Sequence, residues 1–406
     1  MRPIHKKSES YGSLPLEVSS FADLQRAGWS NQLPMVGNFP AANSQNQPTC
    51  KAALLPPRPL METIAAIHDI GHPPFGHGGE VALNWIMREH GGFEGNGQTL
   101  RILTRLIESS SVRRGANLTR RTLLGALKYP VPWSQCVQDT LHTTHPSRLT
   151  GRPLVSEKYH APPKCYLDTE TPTVEWLFEP LHPDERGLIR AERIKSLDCS
   201  IMDVADDTAY GIHDLEDGIA VGFIRRDDLE SDVPAELWDD FLAVTTTDPA
   251  LLQHHREAWL SALFGSATKQ SIGRLVHYMI TSARLSHDSR FATPLYAYRV
   301  TLSVPAARLL SALKRSVKNR MILAPALQQI RAKGQRMIVD VFEALSTDPP
   351  RLLPYAVQPH WHEATSDAER ARTLCDYIAS LTDAGLVKLW RRLFDATSGS
   401  AFDSLR

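Results

Sequence analysis

Residues 64–80 read IAAIHDIGHPPFGHGGE, and the arrangement of the chain follows from this stretch. An apolar helical run delivers the adjacent pair His68-Asp69, Gly71-His72-Pro73-Pro74 ends that helix, and His77 and Glu80 follow directly. A neutral imidazole nitrogen beside an anionic carboxylate oxygen is a mixed donor set that suits Mn, Fe, Co or Zn. His77 and Glu80 are three residues apart, so they share one face if a helix resumes after Pro74. A proton-transferring pair would then stand beside a metal-binding pair. The bland reading is a His-rich loop joining two helices.

Outward from this stretch, the chain reads as helical. Met61, Ile64, Ala65 and Ile70 form the apolar side of the first helix. Val81, Leu83, Trp85, Ile86 and Met87 continue a second, closed by Gly91-Gly92. Asn96–Ile107 and Leu118–Leu127 are further amphipathic runs. Pro130–Pro172 is rich in Pro, His and Thr and has no clear period. Helical spacing returns at Trp176–Leu181, Gly187–Tyr210, Ala235–Leu263, Ser271–Leu285, Pro305–Ile322, Ala324–Leu345 and Arg370–Phe394. Leu295–Val304 is the one credible strand. The expected class is all-α: a helical bundle with long irregular insertions.

Composition narrows the function. Lys plus Arg and Asp plus Glu number 45 each, so no global field draws the chain to nucleic acid or an anionic membrane. Five scattered cysteines without a CxxC pair exclude a zinc ribbon and a disulfide framework. The start, MRPIHKKSES, has no apolar signal core, and no run reaches membrane-span length, so the expectation is a soluble cytoplasmic protein. No P-loop or GxGxxG fingerprint is present.

One His-Asp pair does not close a metal site, and the third donor is sought in residues 196–218, SLDCSIMDVADDTAYGIHDLEDG. Asp206, Tyr210 and Asp214 recur every four residues and so form one stripe on a helix. The plain alternative is a solvated acidic face, which does not need Ile201, Met202, Val204 and Ala205 around it.

Taken together, His68-Asp69 and the later aspartate resemble the HD phosphohydrolase superfamily. GHPPFGHGGE and IMDVADDTAYGIHDLED resemble its deoxynucleotide triphosphohydrolase branch, the dGTPase-like proteins. GNGQTLRIL (95–103), GALKYP (125–130), PPKCYLDTE (162–170), RAKGQRMI (331–338) and CDYIASLTDAGLVKLWRRLF (375–394) follow in that family's order. The resemblance covers about Met61 to Phe394. It implies an HD-domain helical bundle over 56–395, with an irregular segment at 1–55, an insertion at 131–172 and a tail at 396–406. It also implies that His68, Asp69 and Asp206 bind a divalent metal ion (Mn2+, Mg2+, Co2+ or similar) and that His77 and Glu80 are catalytic. Tyr210 and Asp214 would read the sugar, while Asn96, Lys128, Tyr129 and Lys164 would contact the triphosphate. The implied reaction converts a dNTP, with dGTP the first candidate, into deoxynucleoside and triphosphate. The implied partners are further copies in a homo-oligomer, often a hexamer, and a nucleotide or single-stranded DNA effector, with no membrane.

In one place the chain departs from the pattern. The family's upstream metal-binding His lies in a motif resembling THSLEVSS, whereas residues 13–20 here read SLPLEVSS and put Leu14 in its place. His5 is nearby but in a different context. Leu14 motivates a rival expectation, a catalytically weakened relative that binds nucleotide as a regulatory subunit. Hydrolysis of a monophosphate by the same kind of metal site is a third.

Overall fold

A computed structural model describes residues 54–107, 115–137, 155–242 and 248–400. Leu14, His5 and the rest of the irregular segment up to residue 53 lie outside the described residues. The chain divides into two compact units, one built from residues up to Ala66 with Lys195–Gln328, the other from Ile67–Ile194 with Gln329 onward. Each is helical, as expected for an all-α protein, and among the described residues only two short strands are assigned, at Ala283–His287 (β1) and Tyr298–Leu302 (β2).

In the first unit the organising element is the helix Leu197–Ala220. Ser196 starts it by accepting the Cys199 N–H at 3.2 Å, which satisfies one orphan donor of the first turn. Its buried side carries Ile201, Met202, Ala205, Ile212 and Leu215. It packs against Val304–Val317, Thr268–Thr281 and β2. Gly211 permits the close approach of Val304–Val317, since a Cβ there would stand 2.5 Å from Leu310 Cδ1. Trp238, Phe241, Trp259, Leu263, Leu275 and Leu313 fill the rest of this core. Each fully buried aliphatic or aromatic side chain contributes about 1.5–3 kcal/mol.

The second unit packs His77–Ile86 with the part of Pro325–Thr347 beyond Gln329, Asp367–Ala379 and Asp383–Phe394. Leu83, Met87 and Phe93 meet Ile338, Val341, Leu374 and Ile378 in its core. Ser366 and Glu369 form a capping box on Asp367–Ala379. Within the 131–172 stretch, residues 138–154 lie outside the described residues. The described ends are tied together: Trp133 N–H donates to Tyr166 O at 2.8 Å, and Tyr166 N–H to Val131 O at 2.9 Å.

Several elements differ from the sequence reading. Ser271–Leu285 is not one helix, because it stops at Thr281 and β1 begins at Ala283. β1 pairs antiparallel with β2, Ala283 opposite Leu302 and His287 opposite Tyr298. The apolar spacing from Ile280 to Leu285 suits either period, and pairing with β2 decides it. Gly187–Tyr210 divides into Pro183–Glu192 and Leu197–Ala220, with Arg193 left-handed between them (φ 55°). Ala235–Leu263 divides into Ala235–Leu242 and Pro249–Leu263, the second opened by Asp248 as cap and Pro249 at its first position. Arg370–Phe394 divides similarly at the Ser380–Thr382 turn. Ile70 does not belong to the buried side of the first helix, which ends at Ile67, and it is 39% exposed.

Candidate active site

The backbone of the His68–Glu80 turn is held from several directions, all within the second unit. Gly71 N–H donates to Thr99 Oγ1 at 3.0 Å, and Thr99 Oγ1 donates to His68 O at 3.1 Å. Gly71 lies so close to Gly95–Arg101 that a Cβ would stand 2.2 Å from both Gly95 O and Thr99 N. Phe75 and Gly76 follow in the left-handed region, at φ 64° and 54°. Such a conformation is strained for phenylalanine. It is retained because Phe75 N–H donates to Asp383 Oδ1 at 2.8 Å and the ring packs on Gly334. This double bend ends the loop and lets His77 open the next helix, so His77 and Glu80 do share a helical face.

The side chains form a connected series. His68 Nε2 lies 3.3 Å from Asp69 Oδ2, and His72 Nδ1 lies 3.3 Å from Asp69 Oδ1. His72 Nε2 lies 3.9 Å from Glu80 Oε1. Glu80 Oε2 meets His77 Nδ1 at 2.5 Å, while its Oε1 accepts the Gly95 N–H at 2.9 Å. Glu80 is buried, whereas the His77 side chain is 68% exposed. His77 therefore presents its second ring nitrogen outward, with the first held by the carboxylate. Burial alone would raise the Glu80 carboxyl, but the His77 hydrogen bond, the charges of His72 and His77, and Lys164 more than offset it and hold the group below its usual range. Burial of Asp69 is likewise outweighed by the hydrogen bond from His68 and the charges of His72, His68 and Lys128, so Asp69 is held well below the usual carboxylate range. Both acids are anionic at neutral pH. Ligating atoms of His72, His77 and Glu80 lie within 4.8 Å of one another, a donor set that suits a divalent cation.

Beside this series lies a third carboxylate, Glu94, fully buried at the start of Gly95–Arg101. Asn96 Nδ2 and Lys164 Nζ donate to its Oε1 at 2.8 and 3.2 Å. Lys164 Nζ also stands 5.7 Å from the Tyr129 ring centroid. Three of the four residues expected to meet the triphosphate thus gather around Glu94 or Lys164. The fourth, Lys128, contributes its charge to Asp69.

The remaining expected site residues belong to the first unit. Asp206 and Asp214 are partly buried on Leu197–Ala220, and Tyr210 between them is 38% exposed. The Tyr210 phenol is pushed up by burial and by Asp214 and Asp207. Lys314 Nζ holds Asp207 at 2.5 Å and stands 5.5 Å from the Tyr210 ring centroid, while Lys195 pairs with Asp203. Two acids of this run, Asp203 and Asp207, are therefore lysine-paired, and Asp206 and Asp214 are partly buried, so the face is not a fully solvated one.

His72 and Glu94 carry much of this geometry, and neither stands among the residues singled out from the sequence. His72 occurs in the opening motif, but next to Pro73 it reads as loop punctuation. Glu94 precedes GNGQ and reads as an ordinary helix cap. The signal that was available is its position immediately before Asn96, already a candidate.

The helical fold and the His–Asp-bearing turn define an all-α, HD-type protein. A family model for the Phosphohydrolase-associated domain matches residues 300–392. A deoxyguanosinetriphosphate triphosphohydrolase-like protein of Vibrio parahaemolyticus is 39% identical over 359 residues, spanning 84% of this chain and 79% of the relative. Those of Shewanella loihica (40% over 368 residues, 86% and 80%) and Pasteurella multocida (38% over 362 residues, 84% and 77%) are similar to the same extent. The chain belongs to the deoxyguanosinetriphosphate triphosphohydrolase-like family, as its motifs suggest. No described helix is long and apolar enough to cross a membrane.

Proposed function

We propose that this chain is a metal-dependent dNTP triphosphohydrolase, with dGTP the favoured substrate, releasing deoxynucleoside and intact triphosphate. The observation that carries the reading is the 2.5 Å contact between exposed His77 and buried, anionic Glu80, five residues beyond a His-Asp-x-x-His run. The names of the relatives agree with it.

The donor chemistry fits a divalent ion. His68 and Asp69 offer a ring nitrogen and a depressed-pKa carboxylate within one turn, and Asp206 would supply the further oxygen. Bound there, Mn2+, Mg2+ or Co2+ would supply the positive charge that polarises the α-phosphate and acidifies water.

Releasing an unphosphorylated nucleoside requires the bond between the α-phosphorus and O5′ to break. One proton must leave the attacking water and one must reach O5′. Glu80 fixes the His77 ring through Nδ1, so the outer nitrogen serves as the proton donor or acceptor. Lys128, Tyr129, Lys164 and Asn96 would receive phosphate oxygens, for which ammonium and amide donors are suited. Tyr210 and Asp214 would contact the deoxyribose and its 3′-hydroxyl. The family resemblance supports a homo-oligomer, up to a hexamer, a nucleotide or single-stranded DNA effector, and a cytoplasmic location. Light scattering with and without each effector tests the assembly.

The relatives' names lend no support to the binding-only reading prompted by Leu14. A panel of dNTPs with several metals, followed by release of tripolyphosphate, tests the proposal. Product in the form of pyrophosphate or orthophosphate would assign a different reaction.

A further inference from the structure

Glu94 is 0% exposed, yet it is a carboxylate. Burying one is unfavourable unless its oxygens are well satisfied. Here Oε2 accepts the Gly97 N–H at 2.8 Å, while Oε1 accepts from Asn96 Nδ2 at 2.8 Å and from Lys164 Nζ at 3.2 Å. The backbone bond makes Glu94 the cap of Gly95–Arg101, the same helix whose first N–H, at Gly95, donates to Glu80 at 2.9 Å. Helix capping alone does not require a fully buried charge, since Ser, Thr or Asn caps as well. Burial and the neighbouring Glu80 push the Glu94 carboxyl up, and the Lys164 ammonium, with the Asn96 and Gly97 hydrogen bonds, works against that rise and favours the carboxylate.

The Lys164 side chain is 43% exposed although its tip meets a fully buried carboxylate. An ammonium has three donors and an amide nitrogen two, so each keeps N–H groups beyond the one given to Glu94. Burial works against the ammonium, but Glu94 and then Glu80 more than offset it, and Lys164 keeps its proton. Lysine otherwise carries considerable rotamer freedom, which a ligand would have to freeze on binding.

We propose that Glu94 is a positioning residue whose buried carboxylate holds the Lys164 ammonium and the Asn96 amide in place as paired donors for the phosphate chain of the substrate. This rests on the reading of Lys164 as a triphosphate contact. Glu94 touches no substrate atom and acts through Lys164.

The test uses the full-length, metal-loaded protein with the dNTP it turns over fastest, alongside calorimetric binding of inorganic tripolyphosphate. Glu94→Gln keeps the shape and one acceptor oxygen but removes the charge. It should raise KM and weaken tripolyphosphate binding by about tenfold, with kcat within about twofold. Glu94→Asp keeps the charge on a shorter stem and should recover part of that affinity. Lys164→Gln should match Glu94→Gln, and the double variant should be no worse than Lys164→Gln alone to within about twofold, because one residue works through the other. Multiplicative losses in the double variant, a kcat loss at unchanged KM, or unaltered binding in folded Glu94→Gln would overturn the proposal. Failure of both Glu94 variants to fold would also overturn it, by assigning the carboxylate to the fold alone. A wild-type protein that binds no tripolyphosphate and is indifferent to Lys164→Gln would instead sink the parent reading, and is told apart by that single variant.

Discussion

Asp69 lies in a turn held by hydrogen bonds from several sides and Glu80 in the first turn of the helix it leads into, whereas Asp206 and Asp214 stand partly buried along one face of a long helix. In the turn, Glu80 receives a backbone N–H and a histidine, and nearby cations keep both acids ionised. Along the helix, the neighbouring acids Asp203 and Asp207 are occupied by lysines, and Tyr210 reaches solvent. The first arrangement suits proton transfer, where a group's position and charge must be fixed beforehand. The second suits recognition, where side chains of ordinary mobility close around a ligand. Substitutions in the turn should therefore remove chemistry or stability, and those at Tyr210 and Asp214 on the helix should alter selection, Asp206 alone being tied to the metal.

The largest effect is expected at His77. His77→Ala should lower kcat by about 10²–10⁴-fold, the usual share of general acid–base catalysis, with metal content unchanged by elemental analysis. Asp69→Ala and Asp206→Ala should instead lose metal and activity together. Normal turnover in Asp206→Ala would remove the helix from the metal site and break the comparison.

Next in size is the rigidity of the turn. Gly71→Ala places a Cβ 2.2 Å from backbone atoms that cannot move. It should destabilise the protein by about 3 kcal/mol in denaturant unfolding. Gly211→Ala on the helix meets side chains and no backbone, Leu310 Cδ1 at 2.5 Å and Lys314 Cγ at 3.0 Å. Its loss should stay near 1 kcal/mol, because part of the crowding is offset by the better helix propensity of alanine. Equal losses at the two glycines would contradict the contrast.

Acid should reveal the same difference. The folded pKa of Glu80 is depressed, so its stabilisation is complete above the ordinary value of 4.5 and is lost as pH falls toward about 2. Glu80→Gln should flatten the pH dependence of unfolding in that window. The smallest effect concerns selection: Tyr210→Phe and Asp214→Asn should narrow the preference for dNTP over NTP by about tenfold while leaving stability within about 1 kcal/mol of wild type.

How legible these features are in sequence depends on range. The helix before His68 and the stripe Asp206–Tyr210–Asp214 follow from local periodicity, although that helix stops at Ile67, ahead of the double proline expected to end it. β1 does not, since Ala283–His287 is fixed by a partner eleven or more residues away and its apolar spacing continues that of the helix before it. The breaks at Arg193 and near Asp248 do not either, because a three-and-four spacing runs across them. Glu94 looks like a surface cap until its burial is seen, and His72 gains meaning only by standing between Asp69 and Glu80. Phe75 is a similar case. Its left-handed conformation is held by Asp383, 308 residues further along, and no local pattern marks that contact.

The measurement that bears most directly on the account is phosphorus NMR of a dGTP reaction with Mn2+, wild type against His77→Ala at equal metal loading. The account predicts intact tripolyphosphate and deoxyguanosine from the wild type and the same products from the variant at a rate lower by about 10²-fold or more. Equal product from both, or cleavage to pyrophosphate, would contradict it.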